Sequence, residues 1–164
     1  MIKNGIISLI KDKEPLEMHF NMLPGKFITE VIYPKWYKVV DGHVECLFDR
    51  SYISEMKESP DHLVIFTMTA HIQKMAYMAF CNLLGFRYEP NKNEIIKFWP
   101  ITVNSVIPSL VTQTKNLTQH LEISEVKPSA SGEPGRYTCL YRSWVNDTEV
   151  FGKCVVLVLP ERQL

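Results

Sequence analysis

The chain has no excess of charge of either sign, since its 164 residues carry 18 Lys and Arg against 18 Asp and Glu. Without a broad basic face, a nucleic-acid partner loses its main electrostatic attraction. A net charge near zero also gives little protection against self-association. We therefore expect no nucleic-acid partner, and we expect a homodimer or a higher even oligomer.

The motifs of metal, nucleotide and serine-hydrolase chemistry are missing as well. The four cysteines form no CxxC pair and the five histidines show no ligand spacing. The seven glycines form neither a phosphate-binding loop nor a GxSxG elbow. The sequence thus predicts no metal site and no cofactor, and it favours buried thiols in a reducing compartment.

No apolar run is long enough to cross a membrane. The best candidate is interrupted by His71, Gln73 and Lys74, short of the roughly 18 uninterrupted apolar residues that a span needs. The first apolar stretch is broken by the charged residues 11–13, which is unlike a secretory signal. These features predict a cytoplasmic protein without a membrane span.

Hydrophobic periodicity and turn residues divide the chain into elements of one domain, residues 1–164, because no repeat or long linker interrupts it. A short amphipathic helix is predicted over residues 2–12, inside an N-terminal helical segment 1–24. Asp41-Gly42 is a strong hairpin signal. A polar loop is predicted at 49–61 and a turn at 90–93. Strand-like runs cover residues 27–40, 43–48, 95–106, 110–126, 136–145 and 150–159.

The segment 62–86 is the most unusual part of the sequence, because it is apolar almost all round and rich in Met, Ala and Leu. Its length and composition predict a helix, with Gly85 as the C-cap. A helix that is apolar on every side must be buried on every side. One antiparallel sheet that curls around this helix meets the requirement. We therefore predict the α+β class and the hot-dog fold, with sheets that pair edge to edge in a dimer.

Polar side chains are exceptions in so apolar a helix. Helical spacing places His62, Thr69 and Gln73 on one face, while His71 lies on another face with Thr67 and Lys74. One interpretation is that one of these faces lies at a dimer interface or in solvent, where its polar side chains form hydrogen bonds. The other is that one face lines a thioester channel, where a histidine or a glutamine amide binds the acyl carbonyl or positions water.

The residues before this helix add further candidates. Tyr52 can donate a hydrogen bond to a carbonyl, and acids such as Asp49 can accept a proton. The free N–H groups at the helix start near His62 favour negative charge, so a developing oxyanion could lie there.

The stretch from Tyr52 to Phe80 resembles the core of the FcoT-like hot-dog thioesterases. That family has a tyrosine before a His-Phe-Asn step, and its buried helix ends in Asn-Gln-hydrophobic-Ala-Tyr. The counterparts here are Tyr52, the step 62–64 and the segment 73–77. Gln73 replaces one family asparagine and keeps an amide, whereas Val64 replaces the other and removes a polar group.

The resemblance implies an enzyme, a hydrolase or lyase that acts on acyl-CoA or acyl-carrier-protein thioesters in lipid or secondary metabolism. Together with the helical spacing, it leads us to predict Tyr52, His62 and Gln73 as catalytic side chains and Asp49, Val64, Met68, Thr69 and His71 as substrate-binding ones. Two alternatives stay open. One is a 3-hydroxyacyl-thioester dehydratase, which the same helix resembles more loosely, although no Asp or Glu occurs between Leu63 and Arg87. The other is a non-catalytic acyl-binding module of the same fold.

Overall fold

The computed structural model of the chain describes residues 5–57, 61–90 and 96–159. This part of the chain contains nine strands and one helix, so the protein belongs to the α+β class. In chain order the elements are β1 (Ser8–Ile10), β2 (Leu16–Leu23), β3 (Lys26–Val40), β4 (His43–Ser54), α1 (Ile65–Leu84), β5 (Ile96–Pro100), β6 (Asn104–Val106), β7 (Leu117–Pro128), β8 (Arg136–Val145) and β9 (Thr148–Val158).

The described strands form one strongly curled antiparallel sheet around α1. Its central order is β3-β4-β7-β8-β9. β1 and β2 both pair with β3, at its two ends, and β5 and β6 both pair with β9. The inward side chains of the strands and the buried side of α1 form one hydrophobic core. The predicted curled sheet around a central helix is thus confirmed.

The helix α1 lies within the predicted segment 62–86. Gly85 takes the left-handed conformation, with φ of 77°, and the N–H of Phe86 bonds back to Cys81 O at 2.8 Å, so the predicted C-cap is confirmed. The expected burial on every side is wrong, because α1 contacts β3, β4, β5 and β7 but leaves one side uncovered. There Phe66 is 64% exposed and Gln73 is also exposed.

The predicted helical segment 1–24 is wrong within the described residues, and residues 1–4 lie outside them. Residues 8–10 and 16–23 are strands because each hydrogen-bonds along the edge of β3. A turn at Leu23–Lys26, with Gly25 at φ of 73°, joins β2 to β3. Pairing with β3 outweighs the weak local helix preference of these residues. In β1, Leu9 is 62% exposed.

The hairpin between β3 and β4 is confirmed at Asp41-Gly42, where both residues have positive φ as such a tight turn requires. The pairing shifts register between Pro34 and Trp36, which lets a proline sit inside a long strand. β4 continues to Ser54 through the first half of the predicted loop 49–61, because β3 offers it a partner over this whole length.

Of the four predicted C-terminal strands, the last three form consecutive hairpins, β7 with β8 and β8 with β9, whereas β5 and β6 pair with β9 and not with β7 as a simple meander requires. The predicted strand 95–106 is two strands, β5 and β6, and its first residue lies outside the described part. The predicted strand 110–126 begins only at Leu117, and the preceding residues instead supply backbone carbonyls that accept bonds from Arg50. Of the predicted turn 90–93, only Pro90 is described.

We expect Gly152→Ala to destabilise the fold by about 1–3 kcal/mol, as overpacking does. An added Cβ at Gly152 would lie 1.9 Å from Thr102 O, at the place where the residues between β5 and β6 run alongside β9. Urea denaturation followed by tryptophan fluorescence measures the loss. Gly132→Ala is the comparison for backbone strain, because a Cβ there meets nothing within 4 Å and its φ of 69° alone should cost about 1 kcal/mol. No measurable loss in Gly152→Ala would contradict the steric explanation.

Candidate functional site

A cavity lies beside the start of α1, and we call it the N-terminal cavity. Its volume is about 310 Å³. Its walls come from β2, β3, the first residues of α1 and the segment 107–111. The two polar side chains among its lining residues are His62 and Thr148; the others, such as Phe20, Phe66 and Leu110, are apolar. The rings of Phe20 and Phe66 pack 5.9 Å apart. Such a cavity suits an apolar group with one polar end.

The structure brings two of the predicted catalytic side chains together, His62, which lines this cavity, and Tyr52, which packs against His62 but is not a lining residue. The ring of Tyr52 lies 5.7 Å from the ring of His62, at an angle of 44°. Val64, a predicted substrate-binding residue, also lines the cavity and stands at the N-cap of α1. Tyr52, His62 and Val64 thus occupy one neighbourhood.

A buried carboxylate caps the helix at this point. Glu30 on β3 accepts the N–H of Val64 at 3.1 Å, and its side chain is fully buried. Burial raises the pKa of Glu30, while the Thr67 hydroxyl, the Val64 N–H and the charges of Arg50 and His62 act in the opposite direction. The Thr67 hydroxyl makes no hydrogen bond of ordinary geometry, although its proximity affects that pKa. The N–H group of Val64, where a developing oxyanion was expected to bind, therefore donates to Glu30 instead.

Arg50 on β4 neutralises this carboxylate. Its guanidinium lies 3.2 Å from Glu30 and 2.8 Å from Asp61, which precedes the helix. The same side chain donates to the backbone oxygens of Gln113 and Val111, at 2.8 and 3.2 Å. Arg50 thus joins β3, the residues before α1 and the segment that forms one wall of the cavity.

His71, a predicted substrate-binding residue, is instead fully buried inside the sheet. Gln119 donates to the Met68 carbonyl at 3.2 Å, which leaves its Oε1 as an acceptor for the Nδ1–H of His71 at 2.8 Å. The Nε2 atom of His71 therefore accepts from the Tyr37 hydroxyl, also at 2.8 Å. Burial lowers the pKa of His71 to about 4. Met68 is fully buried in the core. Neither residue lines the N-terminal cavity.

The other three predicted site residues lie apart from the cavity. Gln73 is exposed on the uncovered side of α1, and it is not a lining residue. Thr69 donates to Ile65 O within the same helix, at 2.8 Å. Asp49 faces outward on β4, where Lys35, 3.0 Å away, and the N–H of Asn116 hold it. The hydrogen bonds of Asn116 and Lys35 lower the pKa of Asp49 to about 2.

A second buried acid lies near the other end of α1. Asp12 accepts from Lys74 at 2.9 Å and from the Tyr88 hydroxyl at 2.8 Å. Burial raises the pKa of Asp12, but the hydrogen bonds of Lys74, the Glu14 N–H and Tyr88 lower it by more. The ammonium group of Lys74 also lies over the Tyr37 ring, 5.6 Å from its centre. This cluster anchors the N-terminal segment to α1.

Two residues at the site, Glu30 and Arg50, are absent from the predicted set. A usable signal for Glu30 was its position between Ile28 and Ile32 on the inward face of β3, because an acid there needs a buried partner. Arg50 follows Val44, Cys46 and Phe48 on the inward face of β4 in the same way. If the predicted strand 43–48 had been extended to residue 50, Glu30 and Arg50 would have been predicted on adjacent paired strands.

No family model matches the sequence, and no curated protein has significant similarity to it. In residues 5–57, 61–90 and 96–159, no three His, Cys, Asp or Glu side chains are grouped so that they could hold a metal ion. Over the same residues, no helix has the length and hydropathy needed to cross a membrane.

Proposed function

We propose that this protein has a hot-dog fold and handles acyl thioesters, with the acyl chain in the N-terminal cavity and the thioester carbonyl beside His62. The observation that carries the proposal is the cavity itself, whose walls are apolar apart from His62 and Thr148. An acyl chain would gain free energy from such walls, and His62 would provide a hydrogen-bonding partner for the carbonyl. The resemblance of residues 52–80 to FcoT-like thioesterases supports the same substrate class.

The reaction that these residues fit best is hydrolysis. His62 would take a proton from a water molecule while the oxygen of that water bonds to the carbonyl carbon of the thioester. The carbon–sulfur bond then breaks, and His62 returns the proton to the leaving thiolate, so that a free acid and a thiol are formed. Tyr52 packs on the His62 ring and positions it. Gln73 has no part in this step, because it is exposed away from the cavity.

A non-catalytic acyl-binding protein is the second candidate, and one observation favours it. Glu30, the buried acid that interacts with His62, is held by Arg50 and by the Val64 N–H. The Glu30 carboxylate is thus engaged in a buried ion pair and in the start of the helix, which is a structural role. Dehydration would use an acid from a second copy, because no Asp or Glu occurs between Leu63 and Arg87. The homodimer and the cytoplasmic location are also part of the proposal.

We expect Leu110→Trp to abolish acyl-thioester binding, because the larger side chain fills the cavity that Leu110 lines. Wild-type protein in saturating acyl-CoA, about 100 times Kd, should gain about 2.7 kcal/mol in unfolding free energy, while the variant gains nothing. Ile53→Trp is the matched control, because Ile53 is 67% exposed on β4 and does not line the cavity. If no acyl-CoA of any chain length stabilises the wild type, the proposal is wrong.

Product analysis by mass spectrometry separates the candidate reactions. Saturated, α,β-unsaturated and 3-hydroxyacyl thioesters would be incubated with wild-type, His62→Ala and Tyr52→Phe proteins. Hydrolysis predicts free acid and a fall in kcat of about 100-fold or more in His62→Ala. Binding without turnover selects the second candidate, and loss of water from 3-hydroxy substrates alone selects the dehydratase.

A further inference from the structure

Two cysteines face each other inside the sheet. Cys139 on β8 and Cys154 on β9 are directly opposite in the antiparallel register, and their Sγ atoms lie 2.9 Å apart. Their residues are 3% and 0% exposed. The other two cysteines lie on different elements, Cys46 on β4 and Cys81 on α1, and both are buried.

The register suits a covalent bond between the two sulfurs. Residues directly opposite in an antiparallel pair have Cα atoms about 4.5 or 5.5 Å apart, and both separations lie in the range that disulfides span, about 4.4–6.8 Å. The sulfur atoms must approach by only about 0.9 Å to reach a bond length of about 2.05 Å. Small side-chain rotations achieve this without moving β8 or β9.

We propose that Cys139 and Cys154 form a redox modification site, a dithiol that a low-molecular-mass disulfide converts into a bridge between β8 and β9. In the first step, the thiolate of one cysteine attacks a sulfur of oxidised glutathione and releases one glutathione. The thiolate of the second cysteine then attacks the protein-bound sulfur and releases the other. The two protein thiols are oxidised, the glutathione disulfide is reduced, and the two thiol protons end on two glutathione molecules.

The surroundings predict a slow reaction. The hydrogen bond that the Cys154 thiol donates to the Cys139 sulfur and burial both raise the pKa of Cys154, so little thiolate is present at neutral pH. Both sulfurs lie inside the sheet, so the oxidant reaches them when β8 and β9 open locally. The rate should therefore increase with pH and with low concentrations of denaturant.

The experiment uses the wild-type chain, which contains all four cysteines. The protein is incubated with oxidised glutathione, quenched with acid, unfolded and alkylated with N-ethylmaleimide. We expect two labels per chain after oxidation and four after reduction. Trypsin should release residues 137–142 and 154–162 as one linked pair without reductant. The bridge closes a loop between residues 139 and 154, and it should raise Tm by about 5 °C or more.

Matched variants separate the bridge from other thiol chemistry. Cys46→Ala and Cys81→Ala should keep the linked peptide pair and the rise in Tm, whereas Cys139→Ala should lose both. Because the labelling and peptide results come from the wild type, they do not depend on whether a variant folds. Four labels after prolonged oxidation, a link that involves Cys46 or Cys81, or a stable glutathione adduct in place of the link would each overturn the proposal.

Discussion

Arg50→Ala should lower the free energy of unfolding by about 3–5 kcal/mol, the loss expected when one partner of a buried ion pair is removed. The variant leaves the Glu30 carboxylate buried without its cation, because neither side chain has any exposed surface. It also removes the donor from the backbone oxygens of Val111 and Gln113. Urea denaturation at pH 7 measures the loss, provided that the m-value stays unchanged.

Arg142→Ala is the control for this measurement. Arg142 also pairs with a glutamate, Glu149, but its side chain is 55% exposed, so we expect little change in stability. A second comparison removes both buried charges. The double variant Glu30→Gln, Arg50→Met should recover much of the stability lost in Arg50→Ala, because no uncompensated charge remains. If Arg50→Ala and the double variant are equally destabilised, the buried charge is not the cause.

The same variant connects stability with the proposed function. Arg50 holds Val111, which lines the N-terminal cavity, and Asp61, which is adjacent to His62 in the chain. Its loss should loosen two walls of the cavity at once. An Arg50 variant that still folds is therefore expected to bind acyl thioesters less tightly than the wild type.

The features that the sequence predicts best are those with a strong local cause. Asp41-Gly42 reverses the chain because both residues tolerate positive φ, and Gly85 ends α1 for the same reason. The length and composition of the apolar segment 62–86 also indicated α1 correctly. Each of these follows from conformational preferences or periodicity within a few consecutive residues.

The features that the sequence missed depend on partners distant in the chain. β1 and β2 exist because β3 has an open edge, and β4 reaches Ser54 because β3 is equally long. The periodicity of residues 62–86 could not show that α1 has one uncovered side, because Phe66 is apolar and yet 64% exposed. Gln73 was therefore expected beside His62 and is exposed instead.

The candidate site is predictable to a similar extent. Tyr52 and His62 were expected to act together, and their rings lie 5.7 Å apart. His71 is a polar residue in an apolar helix. The sequence is equally consistent with a His71 that lines a channel and with one that belongs to a buried hydrogen-bond network. The deciding groups, Tyr37 and Gln119, come from β3 and β7.

His71→Gln should remove most of the acid sensitivity that this buried network gives the fold. Burial lowers the pKa of His71 to about 4 in the folded protein, against 6.5 for an exposed histidine. Between these pH values the unfolded chain binds a proton that the folded chain does not. Stability is therefore complete above pH 6.5 and falls by roughly 3 kcal/mol as the pH decreases to about 4. Below that pH both states carry the proton, and this contribution stops changing.

Glutamine is the matched replacement because its amide can accept from Tyr37 and donate to Gln119 without titrating. The free energy of unfolding of both proteins is measured across this pH range, and the value for His71→Gln is subtracted from the wild-type value at each pH. Glu30 changes stability with the opposite sign, because its pKa is raised, but it contributes equally to both proteins and cancels. His19→Gln, at a histidine whose side chain is 62% exposed, is the control. Parallel pH profiles for wild type and His71→Gln would show that His71 does not cause the acid sensitivity.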